Sequence, residues 1–141
     1  MQIKLAESAE DIKHCYPVMK ELRPHLSEDE FLKQVTRQME NHEYKLVYIL
    51  IDESVVAVAG FRVAEFLAWG KTFYVDDLIT LSSARNEGYA GHLMSWLQSR
   101  ARELACKEFH LDSGTHRHLA HRLYKNKKLD ITSFHFSSRL D

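Results

Sequence analysis

Residues 85–91 read Arg85-Asn86-Glu87-Gly88-Tyr89-Ala90-Gly91, which puts an arginine, two glycines and an alanine within seven positions. An apolar stretch from Val75 through Leu81 precedes them, and a helical pattern follows. A strand, a tight glycine-bearing turn and a helix start make a place for an anion. The first N–H groups of a helix have no partners within it, and the aligned peptide dipoles add about half a positive charge there. Gly88 and Ala90 keep bulk away from those amides, and Arg85 adds a planar, permanently charged donor. A pyrophosphate is the natural guest. Any single glycine could serve only the turn; the combination is what points to a ligand. Two other phosphate loops fail on the text. Gly91 is followed by His92-Leu93, where a Walker A loop requires Lys and Ser/Thr. The glycines are spaced GxxG and fall late in the chain, whereas a dinucleotide fingerprint follows the first strand.

The elements that must hold this turn follow from periodicity. Residues 3–6 read as a short strand. Ser8 with Asp11 resembles a capping box opening a helix to about Arg23, and Ser27 with Glu30 caps a second one carrying Phe31, Leu32, Val35 and Met39. Strands are expected over 45–52 and 53–67 as an antiparallel hairpin, then over 72–81. Leu93, Trp96, Leu97, Ala101, Leu104 and Ala105 recur three and four apart, the period of a helix. A strand at 108–113, a helix opening near Thr115 and a closing strand at 131–137, with Ile131, Phe134 and Phe136, complete the order β-α-α-β-β-β-α-β-α-β. That order specifies an α/β fold with a mixed sheet and helices on both faces.

The chain has 141 residues, 45% of them hydrophobic and 28% charged, which suits one domain with a substantial core. No window has the 18 or so apolar residues of a membrane span. The opening residues are charged too early for a signal peptide. Cys15 and Cys106 lack CxxC partners and read as buried thiols in a reducing compartment, so a cytoplasmic location is expected. Net charge is −1, unevenly spread. Residues 1–53 carry seven Lys/Arg against eleven Asp/Glu, and residues 85–128 carry nine against four. The basic segment suits an anionic partner, though near-neutral overall charge fits nucleic acid poorly.

Arg85-Asn86-Glu87-Gly88-Tyr89-Ala90 matches the Arg/Gln-x-x-Gly-x-Gly/Ala pattern, and Ala120-His121-Arg122-Leu123-Tyr124 the later Ala-x-x-Leu/Phe-Tyr element, of the GNAT (Gcn5-related N-acetyltransferase) superfamily. Residues 72–136 resemble its core, and the first 70 follow it in element order. The resemblance implies a GNAT-like mixed sheet whose two central parallel strands, 72–81 and 108–113, splay apart for acetyl-CoA. The pyrophosphate would rest on the amides of Arg85, Asn86, Glu87, Gly88, Tyr89, Ala90 and Gly91. The pantetheine arm would pair with the backbone of Leu78, Ile79 and Thr80. Tyr124 falls at the family's general acid, facing the thioester sulfur, and a backbone N–H at 78–80 would polarise the carbonyl. Arg117 stands where relatives carry a cofactor-bonding Asn and could meet a phosphate instead. Lys128-Leu129 replaces the usual Gly-Phe, so Lys128 must find another route through that turn.

Asp76 and Asp77 lie in the strand that feeds this site, on opposite faces if alternation holds. Asp77 is where relatives carry an acid near the substrate amine, and acts either as base through a water or amine-positioning group, or as a strand-edge charge. His116, His118, His121 and His110 lack metal-site spacing, and no metal is expected. The implied activity is direct acetyl transfer to a primary amine, of a small molecule or a protein. The acidic N-terminal half suits a cationic acceptor. Trp69 is a candidate substrate-lining or dimer-contact aromatic, and dimers are common in the superfamily. The alternative is a non-catalytic acyl-CoA-binding sensor, which would keep the loop without the chemistry.

Overall fold

The computed structural model describes residues 1–140. Five strands, β1 (Gln2–Leu5), β2 (Lys45–Ile51), β3 (Ser54–Phe66), β4 (Gly70–Thr80) and β5 (Glu108–Leu111), form one sheet in the order β1-β2-β3-β4-β5. The first four pair antiparallel, and β4 with β5 parallel. Four α-helices accompany them: α1 (Ala9–Leu22), α2 (Glu28–Asn41), α3 (Tyr89–Glu103) and α4 (His118–Asn126). The chain divides into two compact units, one of residues 1–111 and one from Asp112 onward. The first holds the sheet with α1, α2 and α3, and the second holds α4.

Local chemistry sets the helix starts. The Ser27 hydroxyl accepts from the Glu30 amide while the Glu30 carboxylate accepts from the Ser27 amide, a complete capping box. At α1, Ser8 accepts from the Asp11 amide, but the Asp11 carboxylate reaches the Glu7 amide instead. One face of the sheet, with Leu46, Tyr48, Val58 and Ile79, packs against Ile12, Cys15, Val18 and Met19 of α1 and Phe31 and Val35 of α2. Helix α3 packs on β2, β3 and β4 through buried Leu93, Met94, Leu97 and Ala101, with Trp96 edge-on to Phe61. Leu93, Met94 and Leu97, each fully buried, contribute roughly 1.5–3 kcal/mol apiece. Cys15 is fully buried, and that burial pushes its thiol up to about 12. Cys106, expected in the core, is only partly covered because it lies beyond the end of α3.

In the second unit, residues 131–137 do not form the expected strand. Ile131, Phe134 and Phe136 are exposed, and no ladder among the described residues reaches them. β-propensity is largely a matter of fit to neighbours on a pleated surface, and a favourable sequence without a paired neighbour gains nothing from it. Helix α4 opens at His118, later than expected, with no side-chain cap, and Leu119 on it is exposed. Lys128 takes the left-handed turn that a glycine would have eased, at φ 66, and the Leu129 amide closes onto the Tyr124 carbonyl at 3.0 Å.

Candidate active site

The strand β4 carries an irregularity that sequence alternation does not show. Gly60 of β3 lies opposite Asp77, and Phe61 opposite Val75, so Asp76 is the extra residue of a β-bulge. Asp76 and Asp77 therefore do not go to opposite faces; both carboxylates join one network. Asp77 accepts from the Tyr44 hydroxyl at 2.7 Å through one oxygen and from the Arg23 guanidinium at 2.9 Å through the other. Arg23 also donates to the Asp76 carbonyl at 3.1 Å. Arg62 holds the Asp76 carboxylate, donating through Nε at 3.0 Å, and its guanidinium lies 5.5 Å from the centre of the Tyr44 ring. Burial raises the Asp76 pKa above the usual carboxylate value, against the pull of Arg62. Burial, helped by the Asp77 charge, raises Tyr44 well above an ordinary phenol, so Tyr44 stays a neutral donor.

Gly60 is what lets these groups meet. A Cβ there would lie 1.8 Å from the Tyr44 hydroxyl oxygen and 2.7 Å from an Asp77 carboxylate oxygen. An isolated glycine within a strand pattern is the one signal by which the bulge could have been suspected from the text. Arg23, Tyr44 and Arg62 gave no such signal, because their partners are 54, 33 and 14 residues away.

A cavity of about 250 Å³ opens beside this network, between α1, α2 and β4. Arg23, His25, Gln34, Gln38, Tyr44 and Asp77 give it polar groups, and Met19, Leu26, Phe31 and Val35 its apolar surface. None of the eleven acidic residues in 1–53 lines it. Several of them sit in the first turns of α1 and α2, where they suit the helix dipole. Trp69 does not line it either; it packs on Phe66 and on the His110 ring, 4.2 Å away.

The glycine turn follows the C-terminal end of β4. After a 3₁₀ turn at Ser82–Ala84, the chain runs exposed through Arg85, Asn86, Glu87 and Gly88 into α3. Asn86 and Gly88 are both left-handed, at φ 67 and 84. The N-terminus of α3 has no side-chain cap and no acidic residue in its first turn, so the amides of Tyr89, Ala90 and Gly91 keep the orphan donors of a helix start. A Cβ on Gly91 would meet nothing within 4 Å, so no packing in the protein demands a glycine there. Arg85 is half exposed, and its guanidinium lies 3.9 Å from Glu21 of α1. Glu21 also accepts from the amide and the hydroxyl of Ser82, tying the turn to that helix.

Between the acid network and the turn, Leu78, Ile79 and Thr80 pair with Ala59, Val58 and Ala57 of β3 on one side. On the other side the ladder with β5 stops at Val75↔Leu111, one residue short of the bulge. β5 itself ends at Leu111, two residues earlier than expected, so the β4 edge beyond Val75 has no strand partner on that side among the described residues. In the second unit, Tyr124 is buried and Arg117 hydrogen-bonds to it. Burial raises the Tyr124 pKa, and Arg117 pulls it back only in part. Arg117 can only donate, so this bond leaves the tyrosine O–H to donate elsewhere. The rings of His118 and His121 are 6.1 Å apart, and no three His, Cys, Asp or Glu side chains gather as a metal site among the described residues. No helix among the described residues is long and apolar enough to cross a membrane.

The acetyltransferase (GNAT) family model matches residues 6–129. The uncharacterized N-acetyltransferase YhdJ of Bacillus subtilis (strain 168) is 27% identical over 127 residues, covering 90% of this chain and 89% of that protein. A transcriptional regulator from Bacillus halodurans C-125 matches in fold with a TM-score of 0.86 and 15% identity, over 99% of this chain and 100% of its own. The aminoglycoside N-acetyltransferase AAC(6')-Iy, solved in complex with CoA, gives 0.83 and 14%, over 99% and 95%. A ribosomal-protein-alanine N-acetyltransferase from Brucella melitensis biovar Abortus 2308 gives 0.84 and 15%, over 99% and 100%.

Proposed function

The chain belongs to the acetyltransferase (GNAT) family, and on that premise we propose that it moves the acetyl group of acetyl-CoA directly to a primary amine. The family model runs from residue 6 to 129, which supports reading the chain as one acetyltransferase domain. The observation that carries the proposal is the bare start of α3. Its amides are uncapped, no acid competes for them, and Gly91 faces open space that no packing explains. A pyrophosphate fits there, with the amides from Asn86 through Gly91 as donors and Arg85 as the charged partner. The edge of β4 at Leu78, Ile79 and Thr80, past the last β5 pairing, suits an extended pantetheine arm.

Acetyl-CoA supplies the acetyl thioester. An N–C bond forms as the C–S bond breaks; the amine nitrogen loses one proton and the sulfur gains one. A backbone N–H at 78–80 stabilises negative charge on the carbonyl oxygen. Tyr124 is the general acid that gives sulfur its proton, and its raised pKa keeps it protonated at neutral pH. Asp77 positions the amine. With both oxygens already accepting hydrogen bonds it suits that part better than the part of base.

Isothermal titration of acetyl-CoA into the wild type and an Arg85→Glu variant tests the binding half of the proposal. Micromolar binding that the variant weakens tenfold or more is expected; no binding to the wild type sinks it. Tyr124→Phe tests the chemical half: binding stays, and turnover falls by about 10²–10⁴. A variant that turns over normally would remove Tyr124 from the reaction.

A further inference from the structure

The acetyl acceptor can be read from the cavity beside Asp77, given the acetyltransferase reading above. The cavity holds one carboxylate, Asp77, and one arginine, Arg23, and the two are paired at 2.8 Å. A polyamine or an amino sugar rich in ammonium groups would find a single acid there, already matched. The volume of about 250 Å³ also lies below the ~300–1,000 Å³ typical of sites for drug-sized ligands.

An ion pair in contact is complementary to a ligand whose own opposite charges are in contact. Arg23 spends Nε and Nη2 on Asp77 and the Asp76 carbonyl, while Nη1 makes no hydrogen bond among the described residues. Its side chain is 41% exposed, so the remaining N–H groups can be reached. A planar guanidinium with donors to spare selects a carboxylate. One Asp77 oxygen accepts from Tyr44 and the other from Arg23, yet an ionised carboxylate offers about four acceptor sites, so an amine can still bind. Leu26, Phe31 and Val35 then leave an apolar surface for whatever follows the charged head.

We propose that the acceptor is a free α-amino acid with an apolar side chain. Its carboxylate lies on Arg23, its α-amine on Asp77, and its side chain against Leu26, Phe31 and Val35. The amine is the atom acetylated, so the products are an N-acetyl amino acid and the CoA thiol. Long ω-amino acids separate their charges too far for this pair, and peptide N-termini lack the carboxylate.

The test is CoA thiol release by the wild-type protein with acetyl-CoA and, in separate reactions, L-leucine, L-phenylalanine, L-leucinamide, isoamylamine and spermidine. At least one of the two amino acids is expected to be used, and the leucine-to-leucinamide ratio of kcat/KM is expected to be tenfold or more. Arg23→Gln should bring that ratio near one. Leucinamide, isoamylamine or spermidine used as well as the amino acids would overturn the inference. So would acetyl-CoA that binds by calorimetry while neither amino acid is acetylated; the acetyltransferase reading survives that result. Failure of acetyl-CoA to bind at all overturns both.

Discussion

The bulge within β4 and the turn that follows the strand are built on opposite plans. At Asp76 and Asp77 nearly every polar group has its partner within the protein: two arginines and a tyrosine surround two carboxylates, and a glycine leaves room for the tyrosine. At residues 85–91, donors stand without partners, the backbone is exposed, and a glycine opens onto nothing. The first arrangement is one of preorganisation, in which the polar groups are locked by one another. The second is a vacancy in the protein's own hydrogen bonding, which an anion can complete. On the proposed function, near-saturated and unsaturated polar groups are two kinds of binding surface, one for a partner that must be oriented and one for a partner that supplies acceptors.

Gly60 and Gly91 sharpen that contrast, because the same substitution should act oppositely on them. Gly60→Ala puts a methyl group onto the Tyr44 hydroxyl and breaks its bond to Asp77. Overpacking and an emptied buried acceptor together should cost about 3 kcal/mol or more, read as a lowered midpoint in urea unfolding. A Gly60→Ala variant as stable as the wild type would show that Tyr44 can leave freely and that the network is not rigid.

Tyr44→Phe is the next largest, at about 1–3 kcal/mol, because the Asp77 oxygen loses its donor. It also carries a pH signature. The folded-state pKa of Tyr44 is raised, so the folded chain holds this proton more tightly than the unfolded chain does. The corresponding stability is present below about pH 10, the ordinary phenol value, and is lost as pH rises beyond it. The wild type should therefore lose stability above about pH 10 more steeply than the Tyr44→Phe variant; parallel curves would mean that Tyr44 does not titrate as its burial requires. Gly91→Ala has the smallest effect on stability, a gain of about 0.5 kcal/mol from better helix propensity. Its consequence falls on ligand instead, with acetyl-CoA binding weakened tenfold or more in a calorimetric titration. Unchanged binding would return Gly91 to a mere turn residue.

The unsaturated turn was the legible one. A helix start announces itself within a few residues, through Gly88 and Gly91 here and through Ser27 and Glu30 at α2, because the bonds concerned span three or four positions. The acid network was not legible. Arg23 marked only the end of a helix and Tyr44 only the approach to a strand, since the register that brings both to Asp77 is set by long-range pairing. Strict alternation misplaced Asp76 because one inserted residue suspends the period of two. The expectation of a strand at 131–137 failed for a related reason: a favourable pattern does not supply a pairing partner. The acidic surplus of residues 1–53 suggested a cationic acceptor; none of those acids lines the cavity, and five of them sit in the first turns of α1 and α2.

Asp76 also bears on how this sheet tolerates improvement. Deleting it would leave β4 in step with β3, Val75 still opposite Phe61 and Asp77 still opposite Gly60, in a straighter and more regular strand. Bulges bend and twist the strand that carries them, and the ladder with β5 ends at Val75, just where this one begins. A designer tidying the sheet would erase the irregularity first. With it would go the offset that brings Asp76 and Asp77 into one network, so the most orderly version of this sheet would be the one that takes that network apart.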